Sequence, residues 1–82
     1  MGGAAEKLTD REMALLLELV SHLGEPLSRA HLLETVWRGE PVHQNVVDVY
    51  VGYLRTKLER LPAPGIAITS VRKVGFRMDL TA

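Results

Sequence analysis

Glycine and proline divide this chain into short segments. They stand at Gly24 and Pro26, at Gly39 and Pro41, and in the cluster of residues 62–65. Glycine adopts the left-handed conformation that commonly ends a helix, and proline prevents the helix from continuing. With 82 residues in all, the segments can form one small domain, and a two-domain enzyme is excluded.

The composition favours a globular protein without metal–thiolate chemistry. Hydrophobic residues make up 46% of the chain, which is enough to build a core. The absence of cysteine excludes a disulfide scaffold, an iron–sulfur centre and a thiolate-rich zinc site. Because no long apolar run and no signal peptide are present, we expect neither a membrane span nor export, and a cytoplasmic location.

The first helix is predicted from Asp10 to Leu23. Thr9 and Glu12 have the spacing of a capping box, in which each side chain hydrogen-bonds the backbone of the other residue. The main apolar stripe at helical spacing consists of Met13, Leu16, Leu17, Val20 and Leu23. Leu15 and Leu19 fall on a second apolar flank, so this helix needs cover on two sides.

Two further helices and a hairpin are predicted. Ser28 caps a helix from Arg29 to Trp37, and Asn45 caps a third helix that extends to Arg60. The third helix has a narrow buried stripe formed by Val47, Val51, Leu54 and Leu58. The alternating, β-branched segments 66–71 and 76–80 flank a basic turn and predict a β-hairpin.

No catalytic or metal-binding set is apparent, so an enzyme is the weaker hypothesis and no cofactor is expected. The serines lack a nucleophile signature and the glycines form no phosphate-binding run. The histidines are too few and too scattered for the spacing of a zinc site, and His31 is interpreted as a solvent-facing helix residue. They are His22, His31 and His43.

Charge is distributed unevenly along a chain whose net charge is zero. Residues 1–41 carry four basic and seven acidic side chains, whereas residues 42–82 carry six basic and three acidic ones. Such asymmetry points to an anionic partner. A helix fits the major groove of DNA, which is about 12 Å wide. The outward face of the third helix offers Asn45, Val46, Val49, Gly52, Tyr53 and Thr56 to such a partner, edged by Arg55, Lys57 and Arg60.

Four blocks of sequence resemble the C-terminal effector domain of OmpR/PhoB-type response regulators. They are LTDREMALL at 8–16, LSR and LLETVW within 27–37, NVVDVYV and LR within 45–55, and SVRKVGFR at 70–77. The resemblance covers residues 8 to about 80 and implies a mainly α fold with a small β-hairpin, the winged helix-turn-helix. It also implies sequence-specific binding of double-stranded DNA, with helix 45–60 in the major groove and wing 70–77 in the minor groove.

The resemblance assigns roles to individual residues. It places Asn45, Val46, Asp48, Val49 and Tyr53 at or near the bases. It places Trp37, Arg55, Ser70 and Arg72 at phosphates or in the minor groove. From their own polar or cationic side chains, Thr56, Lys57 and Lys73 are expected to contact phosphates or the minor groove as well. In some activators of this family, the segment matching loop 38–44 contacts RNA polymerase, although a plain connector is an equally good interpretation here.

The sequence departs from the family pattern in three places. Tyr53 stands where many members have arginine, and Lys73 replaces a usual glycine. Only eight residues precede Thr9, so the small sheet that usually opens these domains is expected to be missing, as are the receiver domain and its phosphorylation control. We therefore hypothesise that Leu15 and Leu19 once lay beneath that sheet and are now exposed, covered by the N-terminus, or paired with a second copy.

Two functions remain open from the sequence. The first is DNA binding by a bacterial transcriptional regulator of a two-component system, with self-association on DNA or through the first helix. The second is a winged-helix protein-interaction module that does not bind DNA, which the zero net charge and Tyr53 keep open. In both, residues 1–7 are interpreted as a disordered or artificial leader and residues 8–82 as the domain.

Overall fold

The computed structural model describes residues 7–61 and 65–81, which form three helices and a three-stranded sheet. In chain order these are α1 (Asp10–Ser21), β1 (Leu27–Ser28), α2 (Arg29–Thr35), α3 (Asn45–Glu59), β2 (Ile66–Val71) and β3 (Gly75–Leu80). The sheet is antiparallel in the order β1-β3-β2. The predicted winged helix-turn-helix is confirmed. Residues 1–6 of the predicted leader, and 62–64 of the predicted loop, lie outside the described part of the chain.

The helix starts follow the predicted caps, with one exception. The Thr9 hydroxyl accepts a hydrogen bond from the Glu12 amide at 3.2 Å, and Glu12 accepts one from the Thr9 amide at 2.8 Å, which completes the capping box. The Ser28 hydroxyl likewise caps α2. The prediction that Asn45 caps α3 is wrong, because the N-cap is Gln44, whose side chain makes no capping bond. The first two helices end two residues earlier than predicted.

The buried side of α1 is the one that the sequence analysis assigned to the missing sheet. Leu15 and Leu19 are buried in the core shared by the helices and the sheet, so the hypothesis that they are exposed, covered by the N-terminus or paired with a second copy is wrong. Met13, Leu17 and Val20 are instead about half exposed. Leucine and valine occupy most of the helix circumference, so the apolar pattern alone did not determine which side meets α3.

The core lies between the three helices and the sheet. The predicted stripe of α3 is fully or nearly fully buried. It packs with residues from every other helix and strand, namely Leu15, Leu19, Leu27, Leu32, Val36, Trp37, Ile68, Phe76 and Met78. No helix in the described ranges is long and apolar enough to cross a bilayer.

Strand β1 is the element that the sequence did not predict. Its two residues, Leu27 and Ser28, pair with Phe76 and Gly75 at the start of β3. A Cβ atom on Gly75 would collide with the Leu27 carbonyl, so only glycine permits this close approach. The pairing joins the turn end of the hairpin to the segment between α1 and α2.

Candidate nucleic-acid interface

Helix α3 has one side in the core and one side in solvent. Asn45, Val49, Gly52, Tyr53 and Thr56 are all exposed, as predicted. The helix contains 15 residues and is therefore about 22 Å long. Val46 differs from the prediction, since it is partly buried and packs against the core instead of facing outward.

An aromatic cluster supports Tyr53 on this exposed side. Its ring meets Tyr50 edge-on at 5.4 Å between centroids, and Tyr50 meets Trp37 edge-on at 5.3 Å. Trp37 is buried and lies beneath the guanidinium group of Arg11 at 5.3 Å. The chain of rings fixes the position of Tyr53, half of whose surface remains exposed. Trp37 therefore belongs to the core, and its predicted proximity to a phosphate remains untested.

Asp48 is paired with a cation that the sequence analysis did not identify. The Arg29 guanidinium donates two hydrogen bonds to the Asp48 carboxylate, at 2.6 and 3.1 Å. The hydrogen bond from Arg29 lowers the pKa of Asp48, so the carboxylate remains ionised. This bridge between the first turns of α2 and α3 offsets a negative charge on the exposed side of α3. The two residues are 19 positions apart, so no local pattern predicts their pairing. The sequence shows only that Arg29 directly follows the Ser28 cap, at the start of α2.

Arg55 connects α3 to the hairpin. Its guanidinium donates to the Ile68 carbonyl at 3.1 and 2.9 Å and to the Ser70 hydroxyl at 3.1 Å. It also lies 5.8 Å from the centre of the Phe76 ring. Arg55 thus holds β2 beside α3, and both Arg55 and Ser70 lie where the hairpin meets the helix.

The turn of the hairpin presents two cations to solvent. Arg72 and Lys73 are exposed between β2 and β3, and within the described residues neither forms an ion pair. The backbone of Lys73 is left-handed, with φ of 66°. This conformation explains why the family pattern has glycine there, since a side chain adds strain at positive φ.

Lys57 is directed away from the exposed side of α3. Its ammonium group donates to Glu12 at 2.6 Å and to the Lys7 carbonyl at 2.9 Å. Glu12 is almost completely buried. Burial raises the pKa of Glu12, but the hydrogen bond and charge of Lys57 and the bonds from Thr9 outweigh it, so the pKa lies below 4.5. The structure thus gives Lys57 a role in joining α3 to α1.

Loop 38–44 is exposed throughout. Arg38 and Gly39 both have positive φ, and an Arg11–Glu40 ion pair of 2.7 Å attaches the loop to α1. The side chain of His43 accepts a hydrogen bond from the Asn45 amide at the start of α3. The loop is therefore a connected and accessible segment next to the exposed helix side.

The structure corrects the interpretation of the histidines. Glu18 and His22 are four residues apart on α1, a spacing that the sequence analysis did not consider, and α2 brings His31 beside them. Their potential ligand atoms all lie within 4.8 Å of one another. His31 is half-buried and contacts Glu18, so it is not simply a solvent-facing residue.

Comparison with known proteins identifies the family. The pattern described as "Transcriptional regulatory protein, C terminal" matches residues 3–78. The transcriptional regulatory protein PrrA of Mycobacterium leprae is 48% identical over 77 residues, which cover 93% of this chain and 33% of PrrA. The chain thus spans about a third of the length of the curated relatives it matches.

Solved structures agree in fold. The DNA-binding domain of Escherichia coli CadC superposes with a TM-score of 0.83 at 30% identity, covering 98% of this chain and 76% of that one. The DNA-binding domain of Klebsiella pneumoniae RstA, solved in complex with the RstA box, gives a TM-score of 0.72 at 29% identity over 89% of this chain and 73% of that one. The chain belongs to the family of C-terminal domains of transcriptional regulatory proteins.

Proposed function

We propose that this domain binds double-stranded DNA sequence-specifically, with α3 in the major groove and the β2–β3 hairpin in the adjacent minor groove. The proposal rests on one observation: the solvent-facing side of α3 lies beside a cationic hairpin turn. Arg55 of α3 holds the hairpin in this position by donating hydrogen bonds to the Ile68 carbonyl and the Ser70 hydroxyl of β2. A helix and a neighbouring cationic turn match the two adjacent grooves of a duplex.

The bases would be contacted by exposed residues along α3. Asn45 offers an amide for hydrogen bonds to base edges, and Val49 offers methyl groups for the methyl group of thymine. Tyr53 adds a ring held in place by its aromatic neighbours. Asp48 lies close to this path, but its carboxylate is engaged by Arg29. Val46 supports the start of the helix from the core side.

The phosphates and the minor groove would be contacted mainly by the hairpin. Arg72 and Lys73 are accessible and have no ion-pair partner in the described part of the chain. A guanidinium group is attracted to the narrow minor groove of A·T-rich DNA. The hydroxyl of Ser70, which accepts a hydrogen bond from Arg55, adds a neutral donor along the edge of the same surface, whereas the hydroxyl of Thr56 would first have to release the Gly52 carbonyl. Arg55 acts chiefly by positioning the hairpin.

A salt titration of DNA binding tests the proposal. Each neutralised phosphate changes the slope of log K against log [salt] by about −0.9. Arg72→Ala should therefore weaken binding to all sequences and reduce the slope by about one. Lys57→Met is the matched control, because its ammonium is already held by Glu12, and it should leave the slope unchanged. A salt-independent interaction would instead favour the alternative of a protein-interaction module.

Base preference is tested separately. Tyr53→Ala should alter which sites are selected from a random DNA pool, since its ring lies on the exposed side of α3 that would face the bases in the proposed complex. Thr56→Ala is the control on the same face, and it should lower affinity without changing the preferred sequence. Identical site preferences for Tyr53→Ala and the unmodified domain would refute base reading by Tyr53.

The role of the whole protein is inferred from its relatives. Because this domain spans a third of regulators such as PrrA, we propose that it acts as the output domain of a two-component response regulator in the bacterial cytoplasm, associated with the nucleoid when bound. Loop 38–44 would offer a contact for RNA polymerase. The exposed side of α1 at Met13, Leu17 and Val20 would support self-association. Sedimentation with and without DNA tests the last point.

A further inference from the structure

A cluster of three metal-ligating side chains lies between α1 and α2. Glu18 and His22 come from the end of α1, and His31 comes from the first turn of α2. One carboxylate oxygen of Glu18 lies 2.6 Å from Nε2 of His31 and 3.3 Å from Nε2 of His22. The two imidazole rings meet edge-on, with 5.7 Å between centroids.

These groups have the chemistry of a zinc site, and their ligand atoms all lie within 4.8 Å of one another, so small side-chain movements can bring them around one ion. Two imidazole nitrogens and one carboxylate oxygen, with an open fourth position, form a known ligand set for Zn²⁺. Metal–ligand bonds of about 2.0–2.1 Å in a tetrahedron place neighbouring ligand atoms roughly 3.3 Å apart. The Glu18–His22 pair already has that separation. The Glu18–His31 hydrogen bond would have to open by less than an ångström.

The surroundings of the cluster favour binding of an ion from solution. The three side chains are between one fifth and two fifths exposed, so an ion can enter and a water can fill the fourth position. Nδ1 of His22 lies 3.8 Å from the Glu25 carboxylate. This carboxylate adds negative charge close to the cluster, which favours a cation there.

We propose that Glu18, His22 and His31 bind one Zn²⁺ ion that joins α1 to α2. The ion would replace the Glu18–His31 hydrogen bond as the link between the two helices. His31 faces α1, whereas Arg29 on the same helix pairs with Asp48 of α3. The bound ion therefore stabilises the domain without contacting the proposed DNA-binding surface.

Calorimetric titration of the untagged, metal-free chain with zinc sulfate at pH 7.5 tests this proposal. We expect one Zn²⁺ per chain and a rise in melting temperature of about 15 °C at a free concentration near 100 times Kd. EDTA should reverse the rise. Binding should weaken as the pH is lowered, because the ligands must be deprotonated to bind a metal.

Variants separate this site from adventitious binding to histidine. His31→Ala and His22→Ala should each abolish the stoichiometric heat and the thermal shift. His43→Ala is the matched control, because His43 lies in loop 38–44 outside the cluster, and it should bind Zn²⁺ as the unmodified chain does. Equal loss in His43→Ala, or full binding in His31→Ala, would refute the proposal.

A spectroscopic measurement covers the case in which a variant unfolds. Co²⁺ in a tetrahedral nitrogen and oxygen site absorbs visible light, and the unmodified folded chain should develop such a spectrum that one equivalent of Zn²⁺ removes. The absence of both the spectrum and the calorimetric heat would show that Glu18 and His31 form a hydrogen-bonded pair only. DNA affinity should be the same with and without Zn²⁺, so this result is independent of the proposed function.

Discussion

Replacing Glu12 with alanine should destabilise the domain more than any other exchange of a single acidic residue in its described part. Glu12 is 2% exposed and accepts hydrogen bonds from the Thr9 amide and from the ammonium group of Lys57. Loss of the capping interaction costs about 1 kcal/mol. Loss of a hydrogen bond between charged groups costs about 1.5–3 kcal/mol. The expected total is about 2.5–4 kcal/mol, a large part of the roughly 4–12 kcal/mol available to a chain of this size.

Urea denaturation followed by fluorescence measures this loss, because Trp37 is the single tryptophan and is buried. A double-mutant cycle of Glu12→Ala and Lys57→Met isolates the pair, and we expect a coupling energy of about 1.5–3 kcal/mol. Glu34→Ala, at an exposed position of α2, is the control and should change stability by less than about 0.5 kcal/mol. A coupling energy below about 0.5 kcal/mol would refute the argument.

The same pair predicts a pH dependence. The pKa of Glu12 is lower in the folded state than its ordinary value of 4.5. Its contribution is therefore fully present above pH 4.5 and is lost as the pH falls through the lower, folded value. The difference in unfolding free energy between the unmodified domain and Glu12→Gln should shrink over that range. A constant difference down to pH 3 would contradict the assignment.

The remaining predictions concern two glycines and the ion pair on α3. Gly75→Ala should destabilise the domain by about 2 kcal/mol or more and disrupt β1, because the new methyl group meets the Leu27 carbonyl. Gly52→Ala should instead stabilise α3 by about 0.5–1 kcal/mol, since open space surrounds that position; urea denaturation measures both. Asp48→Asn should cost less than about 1 kcal/mol, because the pair with Arg29 is largely exposed. Urea denaturation measures this cost as well, and a loss above about 1 kcal/mol would contradict the argument.

The sequence predicts those helices whose ends are determined by residues close to them in the chain. The capping box at Thr9 and the glycine and proline terminators act within a few residues, so the helices appear close to their predicted positions. The exposed and buried sides of α3 were also predictable, because Val47 and Val51 form a narrow stripe opposite polar residues. In such a helix only one rotation buries the apolar side chains.

Features that depend on distant contacts were not predictable. Leu15 and Leu17 are chemically identical neighbours, yet one is fully buried and the other is 57% exposed. The choice depends on how α1 packs against α3, which no local pattern determines. Strand β1 could not be predicted from the sequence either. Two residues are too few to show a periodic pattern, and their pairing depends on Gly75, nearly fifty residues away.

The cations illustrate the same limit at the candidate site. Arg55, Lys57 and Arg72 all carry a positive charge, and from the sequence all three were expected at phosphates or in the minor groove. The structure distinguishes them, because Arg55 bonds to the hairpin backbone and Lys57 to Glu12, whereas Arg72 is exposed. Charge alone indicated an anionic partner, but only the fold shows which cation can reach it.

Zero net charge is therefore compatible with binding a polyanion. Several acidic side chains are used within the fold, where Glu12, Glu40 and Asp48 each hold a cation that joins two segments. Their negative charge is offset locally and adds little to the field at the hairpin turn, where Arg72 is exposed. A phosphate interacts mainly with the charges close to it, because interactions between exposed charges are screened beyond about 8–10 Å at physiological salt. The distribution of charge in the folded domain, and not its sum over the sequence, thus decides between a DNA-binding and a DNA-independent module.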